Sequence, residues 1–228
     1  MNPKKNLLLL HGALADRTQF NELIPLLENE FSVHTISLPG HGKEPLGNYQ
    51  FSIESFASYV LEYIQFHSLS LPLVFGYSMG GYVGLFLASK TEDSIGGIVT
   101  LGTKVDWTVE KAAKEVRQLN PDKIVEKVPK FAESLSRIHG PDKWRDVVIH
   151  TGGLMTDLGN SHLNDNDFRN IKVPVVMMVG DSDVMVDLNA AQTVCDLIPV
   201  SRFVVLQNTE HPFEKADFSL LAEFLNKL

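Results

Sequence analysis

Short runs of consecutive apolar residues alternate along the chain with longer stretches in which apolar residues recur every three or four positions. The runs have the length of buried β-strands, and the stretches have the spacing of helices with one buried face. Near-continuous apolar strands that alternate with helices are typical of a parallel sheet covered on both faces. We therefore predict an α/β protein with strands at residues 6–10, 31–38, 71–76, 94–101, 173–179 and 202–206 and helices at residues 17–28, 52–66, 79–90, 188–197 and 213–228.

The alternation is interrupted between residues 103 and 171. Right-handed crossovers bring the carboxyl ends of parallel strands to one edge of the sheet, where a functional site is expected. We predict that residues 1–102 and 172–228 form the α/β core and that residues 103–171 form a helical cap over that edge. Within the cap, helical patterns cover residues 109–119, 124–138 and 144–155, separated by Pro121, Pro129 and Gly140-Pro141.

The amino-acid composition argues against some binding partners and favours one cellular compartment. The 228 residues include 20 Lys and Arg against 28 Asp and Glu, a formal charge of −8, with no basic run. This balance argues against nucleic acid as a partner. Cys195 is the single cysteine, so an internal disulfide is excluded and a reducing compartment is favoured. The N-terminus lacks the pattern of a signal peptide, and the uncharged stretch 68–89 contains Pro72 and four glycines, so we expect a cytoplasmic protein without membrane spans.

The segment around Ser78 is the first candidate for chemistry. An apolar run ends in Gly76-Tyr77-Ser78-Met79-Gly80, and an apolar stretch of helical length follows. A strand that turns sharply into a helix needs small residues beside the turn, which Gly76 and Gly80 provide. The serine hydroxyl is then exposed at the apex, as in a nucleophile elbow. The motif alone is weak evidence, so the assignment depends on finding the remaining machinery.

Three further segments follow strands or precede the last helix. His11-Gly12-Ala13 follows the first predicted strand, Asp181-Ser182-Asp183 follows the fifth, and His211 lies in the loop before the last helix. Pro212 disfavours helical geometry at His211, so this imidazole belongs to a loop. A serine hydroxyl needs a neighbouring base to take its proton, and imidazole titrates near neutral pH. We expect these loops to converge on Ser78.

Taken in order, these motifs resemble the α/β-hydrolase superfamily over essentially the whole chain. The resemblance implies a mostly parallel six-stranded sheet in the spatial order second, first, third, fourth, fifth and sixth strand. It also implies a helical cap, and the family's usual N-terminal β-hairpin is absent from this sequence. The matching motifs are His11-Gly12-Ala13, Pro39-Gly40-His41-Gly42, Gly76-Tyr77-Ser78-Met79-Gly80-Gly81, and the apolar run 173–179 with Gly180, Asp183 and finally His211.

The resemblance assigns Ser78 as the nucleophile, His211 as the general base and an aspartate as the acid that orients the base. Three aspartates of one loop compete for the last role, and the family spacing Gly-x-x-Asp selects Asp183. Asp181 is then expected to be a turn residue and Asp187 to be a helix N-cap.

Backbone N–H groups are expected to stabilise the oxyanion. Met79 follows the nucleophile at a helix start, where N–H groups are unpaired, and Ala13 follows His11-Gly12. Both main-chain donors are predicted to form the oxyanion hole. The side chains and backbone predicted to lie near the site are those of His11, Gly12, Tyr77 and Tyr82.

No cofactor or metal is implied, because the sequence contains no Gly-x-Gly-x-x-Gly, Walker, His-Glu-x-x-His or paired-cysteine motif. We predict a serine hydrolase, a carboxylesterase or thioesterase, that cleaves a small-molecule carboxylic ester or thioester with an apolar acyl part through an acyl-enzyme. The sequence leaves open the substrate's identity and the oligomeric state. It also leaves open whether Trp107, Phe131, Trp144 and Met155 line an acyl pocket or form the cap's own core.

Two other functions fit the same fold. One is a cofactor-free lyase of the menaquinone-pathway type, which eliminates pyruvate. That group resembles this chain around Gly-Tyr-Ser-Met-Gly-Gly but has Arg where this chain has Tyr82, so an arginine of the cap would have to replace it. The other is a non-enzymatic receptor for a small hydrophobic ligand, which a complete set of catalytic residues disfavours. The candidate replacement arginines are Arg117, Arg137, Arg145 and Arg169.

Overall fold

A six-stranded sheet in which every pair of neighbouring strands is parallel forms the centre of the molecule. The computed structural model describes residues 4–228. The strand order is β2-β1-β3-β4-β5-β6, so the predicted α/β-hydrolase sheet is confirmed. The strands are β1 (Lys5–Leu10), β2 (Phe31–Ile36), β3 (Leu73–Tyr77), β4 (Gly97–Leu101), β5 (Val175–Gly180) and β6 (Ser201–Leu206).

Helices cover both faces of the sheet. The α-helices are α1 (Ile24–Leu27), α2 (Ile53–Phe66), α3 (Met79–Lys90), α4 (Val109–Val116), α5 (Pro121–Lys127), α6 (Pro129–His139), α7 (Trp144–Asn160), α8 (Asp165–Asn170), α9 (Leu188–Leu197) and α10 (Phe218–Leu225), with short 3₁₀ helices at Arg17–Phe20 and Phe213–Lys215.

Alternate residues of β1 enter two different cores. Leu8 and Leu10 belong to the core on the side of α2 and α3, whereas Leu7 and Leu9 belong to the core that contains Phe213. All four leucines are fully buried. This burial on both faces explains why residues 7–10 of β1 form an uninterrupted apolar run rather than an alternating pattern.

Several predicted helices are shorter in the structure than in the sequence pattern. The helix predicted over residues 109–119 ends at Val116, and the pattern over residues 124–138 is divided between α5 and α6. The helix predicted over residues 17–28 divides into a 3₁₀ turn and the single turn α1, which has Pro25 in its first turn. Proline has no N–H to donate, so it favours a helix start over a helix interior. The helix predicted over residues 213–228 is interrupted because the Asp217 side chain accepts the Leu220 N–H and caps α10.

Five helices, α4 to α8, lie between β4 and β5, where the sequence predicts the cap. The division into core and cap stays a prediction. Part of the segment has a small core of its own, and α7 also contributes Leu154 and Leu158 to the large core beside α3. The buried residues of this small core are Ile124, Ala132, Leu135, Trp144 and Val148.

Among residues 4–228, none of the helices has both the length and the apolar character that a membrane span requires.

Candidate active site

Ser78 lies between β3 and α3 in a conformation that is rare for a residue with a side chain. Its φ is 49° and its ψ is −114°. The Ser78 N–H donates to the Leu101 carbonyl at 2.8 Å, and the Thr103 hydroxyl donates to the Ser78 carbonyl at 3.0 Å. Backbone strain of this kind persists only where the surroundings fix it, and it occurs preferentially at functional sites.

The glycines around Ser78 are required by close backbone contacts. A Cβ at Gly80 would lie 2.1 Å from the Leu10 carbonyl oxygen, and a Cβ at Gly76 would lie 2.4 Å from the Gly81 nitrogen. Neither backbone can yield in so short a contact. The Gly-x-Ser-x-Gly spacing thus brings α3 against the end of β1 and leaves Ser78 at the carboxyl edge of the sheet.

His211 and Asp183 are hydrogen-bonded. His211 Nδ1 lies 2.7 Å from Asp183 Oδ2, and the other carboxylate oxygen accepts the N–H groups of Met185 and Val186 at 2.8 and 3.0 Å. Burial opposes ionisation of Asp183, but the bond and charge of His211 together with the two N–H groups outweigh it and lower the pKa of this carboxyl. An ionised Asp183 accepts from Nδ1–H and leaves His211 Nε2 as the basic nitrogen.

The competing aspartates have the local roles that the sequence predicts. Asp181 accepts from Ser182 and from the Thr209 N–H in a turn, and it is exposed. Asp187 caps α9 by accepting the Ala190 N–H at 2.9 Å.

The hydroxyl of Ser78 and the imidazole of His211 come from the loops that follow β3 and β6, at the same edge of the sheet. Within residues 4–228 neither group is hydrogen-bonded to the other in this structure. Gly102, which follows β4, lies beside the hydrogen-bonded pair of His211 and Asp183. Its φ is 61°, and a Cβ there would lie 3.3 Å from both His211 Nδ1 and Asp183 Oδ2. Catalytic contacts between nucleophile and base are often long without substrate and shorten in the complex.

The two predicted oxyanion donors are unengaged. Among the hydrogen bonds of residues 4–228, neither the Met79 N–H nor the Ala13 N–H is a donor. The N–H of Gly12, the residue before Ala13, donates instead to the Gln19 side-chain oxygen at 2.9 Å. Sequence reasoning missed Gln19, because nothing in its spacing distinguishes it from a surface residue.

Tyr77 contacts His211 through both its hydroxyl and its ring. Its hydroxyl donates to the His211 carbonyl at 2.7 Å, and its ring lies 5.5 Å from the imidazole. A Cβ at Gly12 would lie 2.7 Å from the Tyr77 ring, so glycine is needed there. Burial is the largest cause of the raised pKa of Tyr77, which keeps its hydroxyl protonated as a donor.

His11 is buried and has a structural role beside the site. The Leu38 N–H donates to His11 Nε2 at 3.0 Å, so Nδ1 carries the proton that is donated to the Gly12 carbonyl at 2.8 Å. Burial lowers the pKa of His11 to about 4, which keeps the ring neutral. Because the Gly12 carbonyl belongs to the same peptide group as the Ala13 N–H, this bond fixes the direction of that predicted oxyanion donor.

Ser78 opens into a small, mostly apolar cavity of about 40 Å³. A larger cleft of about 440 Å³ shares Ile53, Tyr82, Leu154 and Leu158 with it. The Tyr82 hydroxyl accepts the Leu163 N–H at 2.8 Å, so this predicted site residue joins α3 to the segment between α7 and α8. The lining of the small cavity is Ala13, Ile53, Ser78, Met79, Tyr82, Lys104, Trp107, Leu154, Met155 and Leu158.

The four aromatic and sulfur-containing candidates of the cap divide evenly. Trp107 and Met155 line the cavity beside Ser78, whereas Trp144 belongs to the small core formed by α5, α6 and α7, and Phe131 is exposed. Within residues 4–228 no group of three His, Cys, Asp or Glu side chains is arranged to hold a metal ion.

Comparison with known proteins extends these observations. A family model described as alpha/beta hydrolase fold matches residues 5–138. A pimeloyl-[acyl-carrier protein] methyl ester esterase of Neisseria meningitidis is 26% identical, over 92% of this chain and 72% of the relative. Among solved structures, a thermophilic esterase from Thermogutta terrifontis has a TM-score of 0.76 at 20% identity, covering 99% of this chain and 90% of that one. MenH from S. aureus has a TM-score of 0.77 at 20% identity, with 99% and 93% covered.

Proposed function

The chain belongs to the α/β-hydrolase fold family, and on this premise we propose that it is a serine hydrolase that cleaves a small-molecule carboxylic ester. Ser78 is the nucleophile, His211 the general base and Asp183 the residue that orients His211. The N–H groups of Ala13 and Met79 bind the oxyanion. The observation that carries the proposal is the 2.7 Å bond between His211 and Asp183, next to a serine on a strained strand-to-helix turn.

Each half-reaction uses the same groups. Ser78 Oγ attacks the ester carbonyl carbon as its proton passes to His211 Nε2, and the carbonyl oxygen becomes an oxyanion held by the two N–H groups. The tetrahedral intermediate collapses, the bond to the alcohol oxygen breaks, and His211 protonates the leaving alkoxide. Water then loses a proton to His211 and attacks the acyl carbon of the acyl-enzyme. The second tetrahedral intermediate collapses, the bond to Ser78 Oγ breaks, and His211 returns the proton to Ser78 as the carboxylic acid leaves.

The substrate proposed is an alkyl ester of an acid with an apolar segment. The cavity beside Ser78 is lined mainly by apolar side chains and holds only a small group, such as the methoxy group of a methyl ester. The relatives are named for the cleavage of a methyl ester of a pimeloyl group. The adjoining 440 Å³ cleft offers the space for a longer chain beyond Ile53 and Leu158.

Lyase chemistry has less support from the charges around Ser78. The one cationic side chain that lines the small cavity is Lys104, among the described residues 4–228. The four cap arginines that would have to replace the arginine of the lyase group are directed elsewhere. Arg145 pairs with Asp122, Arg169 pairs with Asp165, Arg137 lines a separate cleft, and Arg117 is exposed.

The proposal is tested by turnover of p-nitrophenyl esters of graded acyl length, of methyl esters of mono- and dicarboxylic acids, and of acyl thioesters. We expect hydrolysis of the oxygen esters by the wild type and loss of turnover by a factor of about 10³ or more in Ser78→Ala. Equal activity of wild type and Ser78→Ala would contradict the proposal. A preference for thioesters by a large factor would instead move the substrate class to thioesters and retain the mechanism.

A further inference from the structure

We infer that His139, the last residue of the cap helix α6, positions the oxyanion loop of residues 11–15 and so couples the cap to transition-state stabilisation. His139 touches none of the proposed reacting groups, and it is therefore a positioning residue. The inference deepens the proposed function and rests on it for its kinetic readout.

Two hydrogen bonds of His139 join the cap to two loops of the core. The Gly42 N–H donates to His139 Nδ1 at 2.8 Å, so the ring proton is on Nε2, which lies 3.1 Å from the Leu14 carbonyl and donates to it. His139 is 4% exposed, and burial lowers its pKa, so the neutral ring that accepts from Gly42 is the favoured form. One cap side chain thus holds the oxyanion loop and the Pro39-Gly40-His41-Gly42 turn together.

Leu14 is held in an unfavourable conformation. Its φ is 61°, a region that costs a leucine free energy relative to glycine. Its carbonyl is bonded to His139, and its side chain packs against the small cap core that includes Leu135 and Trp144. Because strain persists only where contacts on several sides impose it, the cap is what keeps Leu14 in this conformation.

The position of Leu14 matters because it directly follows the proposed oxyanion donor Ala13. The peptide group that carries the Ala13 N–H is fixed on one side by the bond from His11 to the Gly12 carbonyl. On the other side the chain direction is fixed by Leu14 and its bond to His139. Release of Leu14 would let the Ala13 N–H rotate away from the place where the oxyanion forms, and misplacement by about 1 Å can lower a rate by two orders of magnitude.

The test compares His139→Leu, which removes both bonds, with His139→Gln, which retains an N–H donor that can reach the Leu14 carbonyl. His150→Leu is the matched control, because His150 is an exposed histidine of the cap that stacks on Phe51 instead. We expect kcat of His139→Leu on a p-nitrophenyl ester to fall about tenfold or more with KM within about twofold, because the oxyanion exists only in the transition state. His139→Gln should regain most of kcat, and the control should match the wild type.

Amide hydrogen exchange of the segment 11–16 gives a second readout that does not require activity. We expect faster exchange there in His139→Leu, and exchange like that of the wild type in His139→Gln and His150→Leu. If the wild type has no Ser78-dependent esterase activity, the proposed function fails, while the exchange data still test whether His139 holds the segment 11–16 in place. Unchanged kcat and exchange in His139→Leu, or a loss of protection spread over the whole chain, would overturn the inference.

Discussion

At the scale of single residues, the proposed catalytic groups are few and their supports are many. Ser78, His211 and Asp183 come from three loops at one edge of the sheet, and each is fixed by hydrogen bonds to other residues. Asp183, for example, accepts two main-chain N–H groups besides the imidazole. Such outer contacts orient the acting groups and limit the reorganisation that the reaction requires.

The use of main-chain donors leads to a prediction at Met79. Replacing its side chain leaves the N–H in place, so we expect folded Met79→Ala to retain turnover within about tenfold of the wild type, because only the packing around the donor changes. Steady-state kinetics on a short-chain ester, with circular dichroism as the check of folding, measures this. Complete loss of turnover in a folded Met79→Ala protein would contradict the role given to the backbone.

Residues that belong to a motif could be predicted from the sequence, whereas residues that support the motif could not. The spacing from Gly180 selects Asp183 over Asp181, and the structure has Asp183 beside His211. Gln19 and His139, by contrast, act through hydrogen bonds to loop backbone: Gln19 accepts the Gly12 N–H, and His139 is bonded to Gly42 and Leu14. Such bonds leave no periodic signal in the sequence, because they depend on how the loops and elements pack.

At the scale of elements, the type of each strand and of most helices followed from periodicity, but helix ends did not. The apolar pattern that continues past residue 20 hides the break between the 3₁₀ turn and α1, which has Pro25 in its first turn. The apolar stretch that begins at Phe213 hides the N-cap of α10 at Asp217. Helix α8 was missed altogether, although Asn164 and Asp167 form a capping box. Side-chain hydrogen bonds to the first N–H groups of a helix set where the helix begins, and the spacing of apolar residues contains no information about these bonds.

Helix α3 shows how an element can be misread from hydropathy alone. Its residues from Met79 to Val83 are buried, and most of the remaining helix is also buried. A helix that is apolar on all sides must be enclosed by protein or by lipid. In this fold β3, β4 and α2 all contact α3, which explains the uncharged stretch 68–89 without a membrane.

At the scale of the whole molecule, three buried histidines connect the edge of the sheet to the end of α6. The rings of His11 and His41 are 4.9 Å apart, and those of His41 and His139 are 6.2 Å apart. Burial lowers the pKa of all three, to about 4 for His11. The charges that face the cluster are those of Asp16 and Lys143, of which Asp16 favours the protonated rings and Lys143 opposes them.

These shifts predict that acid destabilises the native state. In the unfolded chain the histidines bind protons near pH 6.5, whereas native His11 does so only near its pKa of about 4, so stability falls as the pH is lowered through this window. For His11 alone the loss between pH 7 and pH 5 is about 2 kcal/mol. Denaturant unfolding at both pH values measures it.

Two matched variants test whether the loss of stability at low pH comes from the three buried histidines. His41 stacks on Phe51 at 4.8 Å, and its Nε2 has no hydrogen-bond partner within residues 4–228. We therefore expect His41→Phe to fold and to reduce the difference in unfolding free energy between pH 7 and pH 5. His150→Asn, which removes an exposed histidine, should leave the difference unchanged. Equal stability of the wild type at both pH values would contradict the burial of neutral histidines.

The central claim of the whole account is that Ser78 is the activated nucleophile, and labelling with a fluorophosphonate followed by peptide mapping tests it most directly. Such reagents react with a serine only where a base and an oxyanion hole activate it. The account predicts one adduct per chain, located on Ser78, and none in Ser78→Ala. An adduct on any other residue, or labelling of Ser78→Ala to the same extent as the wild type, would contradict it.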